Sequence, residues 1–160
     1  MTQGFSILPL FSGSKARFYT VQFDDRPMDE YSIFREFPGV RTHPDFTRLL
    51  RMIDNILKKH GARVQYFRTK KYENEKPVCR FEFGSSTLRL YCWWWEDTVI
   101  IGCGGIKPPA VRKTHQEPWL FDAFTRICYV RDRISKEIPV RELNTNSEQA
   151  LYTYNRFDPL

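Results

Sequence analysis

The fold is decided by residues 78–107, which read VCRFEFGSSTLRLYCWWWEDTVIIGCGGIK. Apolar and polar residues alternate here in three short runs that are separated by turn-forming residues. The pattern predicts three antiparallel strands. Cations lie inside the first two runs, at Arg80 and Arg89, and at the end of the third, at Lys107. A sheet that packs on one face and carries cations on the other needs an anionic partner, and RNA is the best candidate.

Alternation along the first two strands places a set of polar residues on the face opposite the apolar one. This set comprises Arg80, Glu82, Arg89 and Tyr91. The glycines at 102, 104 and 105 predict a bulge or a close backbone approach in the third strand. Trp93, Trp94 and Trp95 cannot all point the same way, so at least one is expected to be exposed or to lie in a partner interface.

The remaining elements surround this sheet. A strand is predicted over 15–23, and helical spacing predicts helices over 44–60 and from Pro118 onward. Residues 1–14 suggest an irregular lead-in, and 138–143 suggest a strand. The predicted class is α+β, with a small antiparallel sheet packed against N-terminal helices and followed by a C-terminal helix. We expect one domain over residues 1–160.

Composition favours a folded protein with a polyanionic or acidic partner. Hydrophobic residues make up 41% and aromatic residues 16% of the 160 residues, enough for a packed core. The net charge of +6 resides in residues 41–76, which hold ten Lys/Arg and four Asp/Glu, since the rest of the chain holds fifteen of each. The basic bias therefore belongs to one helix and the segment that follows it. Charge alone does not choose between nucleic acid and an acidic protein.

Several classes of protein are not expected. The four cysteines form no C-x-x-C pair, so buried reduced thiols are favoured over a zinc site. Nothing in the spacing of His, Asp and Glu predicts a metal site or a cofactor. No secretory signal is visible, and no apolar run approaches the roughly 20 residues of a membrane span. We expect a cytoplasmic protein without a membrane partner.

Three short motifs in this order of elements resemble the RelE/HigB toxins (the RelE/ParE superfamily) of type II toxin–antitoxin pairs. The matching segments are Phe81-Glu82-Phe83, then Leu88-Arg89-Leu90-Tyr91, then Val99-Ile100-Ile101 through Gly104-Gly105-Ile106-Lys107. The resemblance covers about residues 15–134 and makes 135–160 a C-terminal extension. Pro108-Pro109 replaces the further basic residues that often follow the last strand in the family.

The resemblance implies one of two activities. RelE- and HigB-like members cut mRNA in the ribosomal A site, without a cofactor, and are neutralised by a cognate antitoxin. ParE-like members share the fold but poison DNA gyrase, so the fold does not decide between the two. A binding module without catalysis, or a general RNA-binding domain, remains a further alternative.

The resemblance also implies roles for individual residues. Arg89 would stabilise the phosphate, because a guanidinium matches phosphate oxygens and stays charged, or else it would be an ordinary arginine that faces solvent or the antitoxin. Lys107 would bind phosphate or transfer a proton, or else it would simply be a charged residue at the end of the sheet, before Pro108-Pro109. Glu82 would be a general base or one half of a cross-strand ion pair. Tyr91 would stack on a base or pack in the interior.

Histidine and the basic connector complete the predicted site. His115 suits acid–base chemistry, although its segment also fits a helix cap. Contacts to RNA are predicted for a set of basic residues, most of them in the connector before the sheet. They are Arg68, Lys70, Lys71, Arg80 and Lys113.

Overall fold

The architecture follows from a computed structural model that describes residues 1–69, 78–109 and 117–160. The strands within these residues are β1 (Phe5–Ser12), β2 (Arg17–Phe23), β3 (Phe67–Thr69), β4 (Val78–Phe81), β5 (Leu88–Trp95), β6 (Thr98–Ile106) and β7 (Arg156–Phe157). The helices are α1 (Glu30–Glu36), α2 (Phe46–Asn55), α3 (Pro118–Glu137), α4 (Val140–Thr145) and α5 (Ser147–Thr153). A π-helical turn at Ile56–His60 continues α2, and a 3-10 turn at Val64–Tyr66 precedes β3. The predicted α+β class is confirmed.

The strands form one sheet in the order β3-β4-β5-β6-β2-β1-β7. The predicted meander of three antiparallel strands is present as β4, β5 and β6. The sheet is larger than expected, with seven strands among the described residues, and β2 pairs with β6 in parallel. A parallel pair needs a long crossover connection, and here that connection contains α1, α2 and the first strands of the meander. Helix α3 packs along β5 and β6, and α1 packs against β6 and β2.

Both ends of the chain differ from the sequence prediction. The expected lead-in contains β1, which pairs with β2 and buries Phe5 and Ile7. Pro9 argues against a strand in the sequence. Proline is tolerated here because β7 pairs only with Phe5 and Ser6, so β1 has an open edge at Pro9. The segment 138–143 is not a strand, because α4 begins at Val140. The strand near the C-terminus is β7, in which Phe157 lies opposite Phe5.

The tryptophan run is packed on both faces of the sheet. Trp93 is fully buried and lies 4.4 Å from Trp95 between ring centroids. Trp94 points the other way and stacks on Phe67 at 4.7 Å. Trp94 is only partly buried, so the expectation that one of the three would be exposed or lie in a partner interface stays a prediction for this residue.

The glycines of β6 produce the predicted bulge. Leu90 lies opposite Gly104, whereas Cys92 lies opposite Ile101, so two residues of β6 face the single residue Tyr91. A Cβ atom at Gly104 would lie 1.9 Å from the carbonyl oxygen of Arg89. Only glycine permits this approach, and the close contact sets the backbone beneath Arg89.

Candidate functional site

Three arginines lie on one face of three neighbouring strands. Arg68 on β3 is directly opposite Arg80 on β4, and Arg80 is directly opposite Tyr91 on β5. Arg89 is two residues from Tyr91 and therefore shares its face. Like charges placed directly opposite each other destabilise a sheet. Among the described residues, Arg80 and Arg89 have no ion-pair partner to offset this cost.

Arg89 is the most constrained of these cations. Its Nη1 donates hydrogen bonds to the Leu88 carbonyl at 3.1 Å and to the Ser86 carbonyl. Its Nε is buried, with no hydrogen-bond partner in the part of the chain that the structure describes. Burial, followed by the nearby Arg80, lowers the pKa of the Arg89 guanidinium to about 10. Arg89 remains charged at neutral pH, and a bound anion would satisfy Nε and relieve the repulsion.

Lys107 lies at the end of β6 beside this group. Its backbone N–H donates to the Thr87 carbonyl at 2.8 Å, which holds the strand end against the start of β5. Partial burial, followed by Arg89 and Arg80, lowers the pKa of the Lys107 ammonium. The four cations Arg68, Arg80, Arg89 and Lys107 are called the cation cluster below. Four cations gathered in this way favour binding of a polyanion.

Glu82 and Tyr91 also lie at the cluster but are engaged by other groups. The Oε1 atom of Glu82 accepts the Gly84 N–H at 2.6 Å, and its Oε2 atom is 4.0 Å from Nε of Arg68. Tyr91 is 3% exposed and meets Phe124 of α3 edge-on at 5.8 Å. Its ring is therefore part of the core, while its hydroxyl acts electrostatically on both Arg80 and Arg89.

The structure brings together six of the predicted site residues. They are Arg68, Arg80, Glu82, Arg89, Tyr91 and Lys107. The other four predicted residues lie outside the described residues. They are Lys70, Lys71, Lys113 and His115.

His43 contacts the same end of β5, which the sequence did not indicate. Its Nε2 lies 2.9 Å from the Thr87 hydroxyl, and its Nδ1 accepts the Asp45 N–H at 3.0 Å. Because Nδ1 accepts, Nε2 carries the proton and donates to Thr87. The two residues are 44 positions apart in the chain, so no local pattern could have paired them.

A second charged group joins the β2–α1 turn to α3. Arg126 pairs with Asp25 at 2.8 Å and with Asp122 at 2.9 Å. Arg26 bridges Asp122 at 2.6 Å and Glu30 at 2.9 Å. Glu30 is 1% exposed, and burial raises its pKa to about 7 despite the opposing effect of Arg26. This group orients α3 over the sheet and is separate from the cation cluster.

Comparisons with protein-family models, with curated proteins and with solved structures found no match to this chain. No group of three or more His, Cys, Asp or Glu side chains within residues 1–69, 78–109 and 117–160 could hold a metal ion. In the same residues, no helix combines the length and apolar character needed to cross a membrane.

Proposed function

We propose that this chain is the toxin of a type II toxin–antitoxin pair and that it cleaves mRNA on the ribosome. The observation that carries this proposal is the cation cluster, in which Arg80 and Arg89 lack a carboxylate partner among the described residues. Like-charged side chains held together at a cost in stability are typical of a site that binds an anion. The resemblance of the strand motifs to RelE- and HigB-like toxins selects RNA as that anion.

The proposed reaction is a transesterification within the RNA backbone. The 2′-hydroxyl loses its proton and its oxygen attacks the adjacent phosphorus, while the 5′-oxygen of the next nucleotide leaves and takes up a proton. The products are a 2′,3′-cyclic phosphate and a 5′-hydroxyl end. Negative charge grows on the phosphoryl oxygens during this step, and cations already in place stabilise it. The Arg89 guanidinium supplies the paired N–H donors for this role.

Proton transfer is assigned to Lys107 and Glu82. The ammonium of Lys107, whose pKa is lowered, is the proposed donor to the leaving 5′-oxygen, since a lower pKa makes it a better acid. The proposed acceptor of the 2′-proton is Oε2 of Glu82, because Oε1 already accepts the Gly84 N–H.

The test is to induce the chain in bacteria and to map RNA 5′ ends across the transcriptome. The parent should produce new 5′-hydroxyl ends within translated codons, and Arg89→Ala should abolish them because the transition state loses its main cation. Arg141→Ala is the matched control, since Arg141 is an exposed arginine on α4. Helix α4 contacts β5 at Trp95, at the opposite end of the strand from Arg89. Circular dichroism and thermal melting of both variants establish that each is folded. Cleavage that survives in a folded Arg89→Ala variant would contradict the site assignment.

A second function is favoured by one observation at the same site. Oε2 of Glu82, the proposed base, lies 4.0 Å from the Arg68 guanidinium, and a cation at this distance favours the charged carboxylate and weakens it as a base. A toxin of the same fold that blocks a protein target such as DNA gyrase needs no base. Growth arrest and DNA damage with intact transcripts would select this function over RNA cleavage.

A further inference from the structure

Two of the four cysteines lie directly opposite each other in the sheet. Cys79 of β4 is the register partner of Cys92 of β5, so both side chains project from the same face. Directly paired residues in antiparallel strands have Cα atoms about 4.5 to 5.5 Å apart. A disulfide spans Cα separations of about 4.4 to 6.8 Å. The backbone therefore already places these two residues within bridging range.

The other two cysteines lack this arrangement. Cys103 lies in the bulge of β6, and Cys128 lies on α3, so neither has a cysteine opposite it in the described ladders. Cys79 and Cys92 are thiols in the structure, 1% and 0% exposed. Burial, followed by the neighbouring Cys79, raises the pKa of the Cys92 thiol well above its usual value. Reaction with an oxidant therefore requires a local opening.

The position of β4 in the sheet allows such an opening. β4 has four residues, and β3, with three residues, is the strand on its outer side. Short strands at a sheet edge have few hydrogen bonds to break, so they open at a lower free energy than the centre of the sheet. Opening at β4 exposes Cys79 first and then Cys92 behind it.

We propose that Cys79 and Cys92 form a reversible cross-strand disulfide in the presence of a small-molecule disulfide oxidant, and that this bond weakens the binding of polyanions at the cation cluster. The disulfide stands without any assumption about function, whereas its effect on RNA rests on the proposed function. The disulfide would affect the cation cluster through the backbone, because the residue pair next to Cys79 and Cys92 in the pairing of β4 with β5 is Arg80 opposite Tyr91. A disulfide draws its Cβ atoms to about 3.8 Å, closer than the roughly 4.5 to 5.5 Å of an ordinary cross-strand pair. Formation of the disulfide therefore displaces Arg80 relative to Tyr91.

The exchange balances with glutathione disulfide as the oxidant. The Cys79 thiolate attacks one sulfur of glutathione disulfide, and one glutathione thiolate leaves. The Cys92 thiolate then attacks the Cys79 sulfur and displaces the second glutathione. Two protein thiols are oxidised to one disulfide, and one glutathione disulfide is reduced to two thiols, which take up the two protons. Because closing the bond displaces the Arg80 and Tyr91 pair, the bond is strained, and strained disulfides are readily reduced.

The first experiment measures the bond itself. The folded full-length chain is incubated with glutathione disulfide, its remaining thiols are alkylated, and its intact mass and peptide map are recorded. We expect two fewer alkyl groups per chain than in reduced protein alkylated in the same way, because two thiols have become one S–S bond, and a peptide cross-link between positions 79 and 92. Cys92→Ser should abolish the cross-link, and the matched control Cys128→Ser should retain it. Absence of the cross-link in the folded parent, or its formation only after denaturation, would overturn the proposal.

The second experiment measures its consequence. Affinity for single-stranded RNA is compared between reduced protein, oxidised protein and oxidised protein treated with dithiothreitol. We expect oxidation to weaken binding about five-fold, as for the loss of one phosphate contact, and reduction to restore it. Equal affinity of the two forms would overturn the coupling and leave the disulfide standing. Reduced protein that binds no RNA would instead contradict the proposed function, and the mass measurement would still decide the disulfide.

Discussion

Glu30 is the residue in which burial and charge are in strongest conflict. Its pKa is raised from 4.5 to about 7, first by burial, with Arg26 opposing the shift. A carboxyl with a raised folded-state pKa contributes stability below pH 4.5, where it is neutral in both states, and loses that contribution as the pH rises to about 7. The loss is on the order of 3 kcal/mol.

Replacing Glu30 with glutamine should therefore stabilise the protein relative to the parent at pH 8 but not at pH 4.5. Urea unfolding at the two pH values measures the difference. Glu36→Gln on the same helix is the control, because Glu36 is an exposed partner of Arg41 and should change little. A parent-to-variant difference that did not change with pH would show that the pKa of Glu30 is the same in the folded and unfolded protein.

Gly104 shows the steric constraint beneath the cation cluster. Alanine at this position would place its Cβ atom 1.9 Å from the Arg89 carbonyl oxygen and 2.9 Å from the Leu90 Cα. We expect Gly104→Ala to destabilise the protein by about 2 to 4 kcal/mol, because backbone atoms must move. Thermal melting measures the loss. Gly84→Ala is the control: Gly84 has a φ of +70° and open space around it, so its cost is the backbone strain alone, about 1 kcal/mol.

At the scale of elements, β7 ties the C-terminal residues to the N-terminal strand. Phe157 is 3% exposed and stacks on Phe5 with ring centroids 4.7 Å apart. We expect Phe157→Ala to cost about 3 kcal/mol of unfolding free energy, because it leaves a cavity against β1. Phe121→Ala on α3 is the control, since this ring is 48% exposed. Equal melting temperatures for the two variants would mean that β7 contributes little to the stability of the sheet.

The elements differ in how far sequence predicts them. The strands β4, β5 and β6 follow period-two alternation with clear turns, and α2 and α3 follow helical spacing. By contrast, β1, β3 and β7 carry proline or have only two or three residues, too few for a periodicity. The pairing of β7 with β1 joins opposite ends of the chain, and no local window contains both partners.

At the scale of the whole molecule, the proposed binding of RNA at the cation cluster predicts a dependence on salt concentration. Four phosphate contacts predict that the logarithm of the binding constant falls with the logarithm of salt concentration with a slope of about −3, since each contact to single-stranded RNA contributes about −0.7. Replacing Arg89 with alanine should make the slope shallower by about 0.7. Titrations at several salt concentrations measure both slopes. A slope near zero in the parent would exclude the cluster as a polyanion site.

The α+β class and the meander that carries the cations follow from the sequence alone, because alternation along a strand is a local property. The shared face of Arg80 and Arg89 depends on the pairing register of β4 with β5. The parallel pairing of β2 with β6, the packing of Trp93 and Trp94 on opposite faces of β5 and the hydrogen bond between His43 and Thr87 emerge only in the tertiary structure. It alone set Cys79 opposite Cys92. These features depend on which strands become neighbours and on what covers each face of the sheet. The strand neighbours and the cover of each face are decided by the burial of apolar residues from distant parts of the chain in one core, which no short stretch of sequence encodes.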